Sequence, residues 1–267
     1  MHYKRHIFAI LVVDLKRARY VIIVFVIVFT GVFFAFRYSG LPSTGTSTTA
    51  INLPWLFSAI SLIFSIVSGF IIQSKWQTWN ELIDAAHGEV SALKQLHMLA
   101  THFPMDIQKS VRTDILTYLD LIVDETSGRK RSSRSEEVER AIYKLEENIL
   151  DIDYSQHPNI GSLAFDLVTK CLEYREKRLQ SVAHKLPRGV RYFMFFATCS
   201  IIFTSLFVNI DVMLYDYVFT LLIALLSFGV YLLIDDLDHP YRPGQWQLTK
   251  SEYQLMHREV QGSFDAA

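Results

Sequence analysis

Four apolar stretches, at residues 20–36, 53–72, 190–208 and 212–234, decide what this chain can fold into. Lipid hydrocarbon offers the backbone no hydrogen-bond partner, so a spanning segment must be an α-helix of ~20 mostly apolar residues or part of a closed barrel. Each stretch is close to that length. The first two carry no charge, and the others carry only Arg191 and Asp216, both near an edge. The overall 51% hydrophobic content fits, because lipid absorbs apolar surface that a soluble fold of this size would have to bury. The first stretch follows a long charged flank and precedes no small-x-small site, so it is expected to be a retained span and not a cleaved signal.

Orientation follows from where the cations sit, since short loops rich in Lys and Arg stay in the cytoplasm. Lys4, Arg5, Lys16, Arg17 and Arg19 precede the first span, and Lys75, Lys185, Arg188 and Arg191 flank the inner ends of the next two. The loop 37–52 has a single basic residue, and the turn 209–211 has none. Both termini are therefore expected in the cytoplasm.

Between the second and third spans the chain turns polar but stays periodic at helical spacing. Leu82, Ala86, Leu93, Leu96 and Ala100 form one apolar stripe in a helix that continues the second span and stops at Phe103-Pro104. Ile107, Val111, Ile115, Leu119 and Ile122 form a second, over 105–125. A basic loop at 128–135, with Ser133 and Glu136 spaced as a capping box, leads to a short helix at 135–150. After a break at 151–158, a long helix over 160–185 leads into the third span. The expected division is a cytoplasmic segment 1–19, a transmembrane hairpin 20–73, a helical cytoplasmic domain 74–188, a second hairpin 189–234 and a cytoplasmic segment 235–267.

Little in the sequence points to reaction chemistry. Cys171 and Cys199 match neither a disulfide framework nor metal spacing. His97 and His102 are five residues apart, and Asp151, Asp153 and His157 lack a fourth partner, so all are read as surface residues. No phosphate loop, nucleophile elbow or zinc motif occurs, and no carboxylate sits in the middle of a span. The chain is read as no enzyme, with no cofactor and no metal. A net charge of -1 argues against a nucleic-acid partner.

The second span carries the most informative pattern. Ser58, Ser61, Ser65 and Ser68 recur at steps of three and four, which places their hydroxyls on one helical face. Hydroxyls gain nothing from acyl chains, so this face turns inward, either as a close packing seam or as a wall that meets water. Phe57, Ile60 and Phe64 lie beside it, and rings of such side chains from several copies can dewet a narrow pore.

At the inner end of this span stand Gly69-Phe70, then Lys75-Trp76, Trp79 and Glu81; after the fourth span stand Asp238, Pro240, Tyr241 and Gly244. These residues, with the Arg175-to-Leu179 stretch, resemble the bestrophin family of ion channels, in its bacterial bestrophin-like branch. Phe70, Trp76, Trp79 and Glu81 take the positions of that family's second-span element, and Asp238 to Gly244 resembles its Asp-Pro-Phe-Gly element. Two departures are visible. Ser61 and Ser65 fall near positions where channel members carry bulky apolar side chains, and Asp235, Asp236 and Asp238 precede the Pro-Phe-Gly-like element instead of following it as the animal calcium-binding run does. Those acids are read as a solvated or Arg-paired face.

The fold class is thus expected to be all-α and bestrophin-like, with four transmembrane helices and a helical cytoplasmic domain. The resemblance implies a homo-oligomer, most simply a pentamer, that passes inorganic ions through a central pore in the lipid bilayer. Ser58, Ser61, Phe64, Ser65 and Ser68 would line it. The alternative is a non-conducting membrane scaffold or sensor whose cytoplasmic helices bind a partner.

Overall fold

The computed structural model describes residues 2–39, 47–126, 135–150, 158–208, 210–241 and 251–265. All the regular structure among them is helical: α1 (His2–Tyr38), α2 (Ser47–Leu99), α3 (Met105–Thr126), α4 (Glu136–Leu150), α5 (Pro158–Ala183), α6 (Arg188–Ser205), α7 (Met213–Leu237) and α8 (Ser251–Asp265). The chain forms two compact units. The first takes residues from Met1–Trp76, Leu186–Asp238 and Pro243–Trp246, and the second from Gln77–Lys185, His239–Arg242 and Gln247–Ala267.

In the first unit α7 packs against both α1 and α6. Phe29, Phe33, Leu206 and Ala224 are buried there, with Phe25, Phe34, Tyr217 and Leu221 packed around them. Aromatic contacts reinforce the pairing, and the Phe25 and Phe228 rings stack at 4.2 Å. The buried faces of α6 and α7 are largely small or hydroxylic: Thr198 and Ser205 on one, Thr220, Ala224 and Ser227 on the other. Such residues let helix backbones approach closely, and Thr198, Ser205 and Thr220 donate back to carbonyls of their own helices. Arg37, at the end of α1, meets Asp216, in the first turn of α7, at 2.5 Å and donates to the Val208 carbonyl at 3.0 Å.

The second unit is a helical bundle in which α3 packs on α4 and α8, and α4 on α5. The stripes read from sequence form its centre: Leu82, Leu93, Leu96 and Ala100 of α2 and its terminal turn, with Val111, Ile115, Leu119 and Ile122 of α3, are essentially inaccessible. α4 adds Val138, Ala141, Ile142, Leu145 and Ile149. A 3-10 turn, Ala100–His102, ends the long helix, and Phe103 is extended at φ -85 and ψ 160, the backbone that a following proline favours.

Several expectations need correction. The loop after α1 is shorter than the predicted 37–52, because the Ser-Thr-Thr run from Ser47 joins the first turn of α2; Ser and Thr suit helix starts. α6 stops at Ser205, before its apolar run ends, and the N–H groups of Leu206, Phe207 and Val208 each bond three residues back in tightened turns. The segment 235–267, given no helix in the sequence reading, contains α8, whose Tyr253, Met256 and Val260 enter the second unit's core. His97, read as a surface residue, is 8% exposed; burial first and then nearby Arg112 push its pKa down, against the pull of Glu259. The predicted capping box at Ser133 and the Asp151, Asp153 and His157 group lie outside the described residues.

Candidate pore face and buried charge centres

On α2 the serine stripe separates into two rows. Ser58 and Ser65 are exposed, Ser61 is half-buried and Ser68 is 3% exposed. Helical geometry accounts for the pairing, because residues seven apart nearly eclipse, while a step of three turns the side chain by about 60°. Ser61 and Ser68 therefore face the chain's own interior, where their Oγ atoms are buried without a hydrogen-bond partner among the described residues. Phe57, Ile60 and Phe64 are each half-buried beside the rows.

At the inner end of this stretch Phe70 is 73% exposed and Trp76 is 38% exposed. Trp79 packs against the second unit's core. Glu81 is exposed, accepts from Gln77 at 3.2 Å and lines a cleft of about 550 Å3 with Asp84, Tyr174 and Lys177.

Asp238 follows the last residue of α7 and is almost wholly buried. Its Oδ1 accepts from Lys75 Nζ at 2.7 Å and from the Leu186 N–H at 2.7 Å, and its Oδ2 from Arg191 Nη2 at 2.5 Å. Burial opposes the carboxylate charge, but the bonds from Lys75, the Leu186 backbone and Arg191 outweigh it and hold the pKa below the ordinary aspartate range. One carboxylate thus joins α2, Leu186 just before α6, and α6 itself to the end of α7. Of its motif neighbours, Pro240 is buried, Tyr241 is half-buried, and Gly244 lies outside the described residues.

The second unit holds a charge centre that the sequence reading did not identify. Arg178 of α5 is fully inaccessible; its Nε donates to Glu89 Oε2 at 2.8 Å, its Nη1 to the Tyr241 hydroxyl at 3.0 Å and its Nη2 to Glu125 at 3.4 Å. Glu89 also accepts from the hydroxyls of Tyr118 and Tyr253. Arg175 stands 3.6 Å from Glu125 and over the Tyr118 ring. Burial opposes Arg178's charge, yet Glu89 and the surrounding tyrosine oxygens keep it protonated. Two arginines and two glutamates balance here, which is how charge survives burial. The signal was present in sequence, for Glu89 falls on the apolar stripe between Ala86 and Leu93, and Arg178 on that of Cys171 and Val182.

Among the described residues, three helical stretches are long and apolar enough to cross a membrane: Tyr20–Tyr38, Met213–Leu237 and part of Trp55–His102. A family model for the Bestrophin-like domain matches residues 21–252. The chain belongs to the Bestrophin-like family, and it is an integral membrane protein with an all-helical fold. A crystal structure of a point variant of a bacterial bestrophin homolog from Klebsiella pneumoniae superposes with a TM-score of 0.74 at 9% identity, covering 93% of this chain and 99% of that one. Another crystal structure of that homolog gives 0.73 at 9% identity, covering 90% and 96%. A crystal structure of a membrane-protein variant gives 0.72 at 11% identity, covering 90% and 97%. No curated protein matches.

Proposed function

We propose that this chain is an oligomeric bestrophin-like ion channel, in which copies of α2 surround a central pathway and ions pass passively through it. On this reading α1, the first part of α2, α6 and α7 are four spans, the second unit lies in the cytoplasm of a bacterium with both termini, and five copies assemble. The residues 20–73 and 189–234 are the two transmembrane hairpins, and 74–188 with the flanking 1–19 and 235–267 form the cytoplasmic part.

One observation carries the reading beyond family membership. The apolar stretch of α2 is the least covered of the three, with 6% of its most apolar window buried, and the hydroxyl-bearing Ser58 and Ser65 are left exposed on it. Hydroxyls at that depth belong against other protein or water and not against acyl chains. Neighbouring copies and a wet axis supply both. Ser58 and Ser65 line the pathway, Ser61 and Ser68 stand behind them against the chain's own helices, and Phe64 forms the ring that dewets the narrowest level.

Reconstitution into liposomes tests this directly. Ion flux is expected, and Phe64→Ala should raise it at least tenfold or relax selectivity; an assembled preparation without flux would defeat the reading. In a Cys199→Ser background, cysteines placed at 58 and 65 should react with water-soluble thiol reagents, because Cys171 is buried. The burial of Ser61 Oγ and Ser68 Oγ favours a second reading, a packing seam in a non-conducting scaffold, and unreactive cysteines at 58 and 65 would support it.

A further inference from the structure

Lys75 stands eleven residues beyond Phe64 on the same helix, ~16 Å further along its axis. Its side chain is 7% exposed, and that of its carboxylate partner Asp238 is 1% exposed. The carboxylate is what compensates the burial of this cationic side chain, and removing it strands the partner. The same carboxylate is held by Arg191 of α6 and by the Leu186 N–H, so α2 cannot shift at this level without giving up its bond to a group that those two keep in place.

We infer that Asp238 is a positioning residue for conduction: it fixes the inner end of α2 against α6 and α7, and thereby the pore face that α2 carries. This inference rests on the channel reading. Asp238 touches no ion on this account, so its loss changes how often the pathway is correctly built and leaves the lining side chains as they were.

The test uses the full-length protein. Hydrogen exchange in nanodiscs should rise over residues 70–78 and 186–191 in Asp238→Asn, but not in Asp235→Asn. In liposomes, Asp238→Asn should lower flux at least tenfold with unchanged ion selectivity. Asp238→Glu should recover part of it, and Lys75→Met combined with Asp238→Asn should recover less than Asp238→Glu, because no buried cation is then stranded but the tie to α2 is still absent. If Asp238→Asn fails to assemble, Lys75→Met and Arg191→Gln alone must each raise exchange over the same residues. Unchanged exchange in all three variants overturns the inference. A wild-type protein without flux sinks the channel reading instead, while the exchange result still decides whether Asp238 holds α2. Altered selectivity in Asp238→Asn would overturn a purely positioning role.

Discussion

Arg178 and Glu89 meet at 2.8 Å with neither side chain accessible to solvent, although 89 residues separate them in sequence. Glu89 takes further hydrogen bonds from Tyr118 and Tyr253, and Arg178 gives further ones to Tyr241 and Glu125. The pair has the geometry that a buried ion pair requires, with the remaining donors and acceptors satisfied around it.

Removing one partner should therefore cost far more than an ordinary surface change. Arg178→Met strands Glu89 and should destabilise the protein by ~3–5 kcal/mol. Arg178→Lys should recover little, because a single ammonium cannot reproduce three separately directed N–H groups. Thermal unfolding midpoints of the detergent-solubilised variants measure both, and a near-wild-type midpoint for Arg178→Met would refute the argument.

The tyrosines of this centre predict an alkaline limit. Burial and then Glu89 raise the pKa of Tyr118 and of Tyr253 above the ordinary phenol value. A raised folded-state pKa means that the unfolded chain releases its protons first. Stability is complete below pH ~10 and is lost as pH climbs from there toward the folded-state values. Tyr253→Phe should make the fall in unfolding midpoint between pH 9 and 12, roughly, less steep; an unaltered slope would contradict it.

Asp238 predicts the opposite limit. Its lowered pKa gives stability that is present above the unfolded value near ~3.9 and lost as pH falls below it toward the folded value. Acid titration of unfolding should show a loss that Asp238→Asn removes, at the expense of a lower midpoint at neutral pH.

Gly88 tests packing. A Cβ there would sit 2.5 Å from the Tyr174 ring carbons Cδ1 and Cε1, well inside contact distance. Gly88→Ala should displace the ring, which also supports Lys177 Nζ at 5.5 Å, and cost ~1–3 kcal/mol. Adding Tyr174→Ala should return part of the loss, and strict additivity of the two would count against direct contact.

In the first unit, Arg37 and Asp216 form a second ion pair, 11% and 2% exposed, in which Arg37 Nε and Nη1 and Asp216 Oδ1 have no hydrogen-bond partner among the described residues. Arg37→Gln should lower the unfolding midpoint, and the joint change Arg37→Leu with Asp216→Leu should be milder than either alone, since it leaves no stranded charge. A double variant worse than both singles would show that the pair holds the helices by more than its charges.

Helix positions were legible wherever apolar residues repeat at helical spacing, as with Leu82, Ala86, Leu93 and Leu96, because that periodicity is the cause of the burial it announces. The Asp238 element was found as a resemblance, but its bonds to Lys75 and Arg191 depend on tertiary approach that no local pattern encodes. α8 escaped notice because only Tyr253, Met256 and Val260 mark its inner face among polar neighbours. Glu89 and Arg178 escaped because charge reads as solvent exposure until an apolar stripe runs through it. The serine rows on α2 were legible as a face, whereas their division into inward and outward pairs depends on which neighbours arrive.

The tyrosine at position 253 gives Glu89 an order of manufacture. A ribosome that has finished α2, α3 and α5 has produced both glutamates and both arginines, but the hydroxyl that completes Glu89's set of donors emerges only after α7 has been made. The donor set around Glu89 is therefore the last part of this centre to be made, and it closes only once Tyr253 has followed the last apolar helix out.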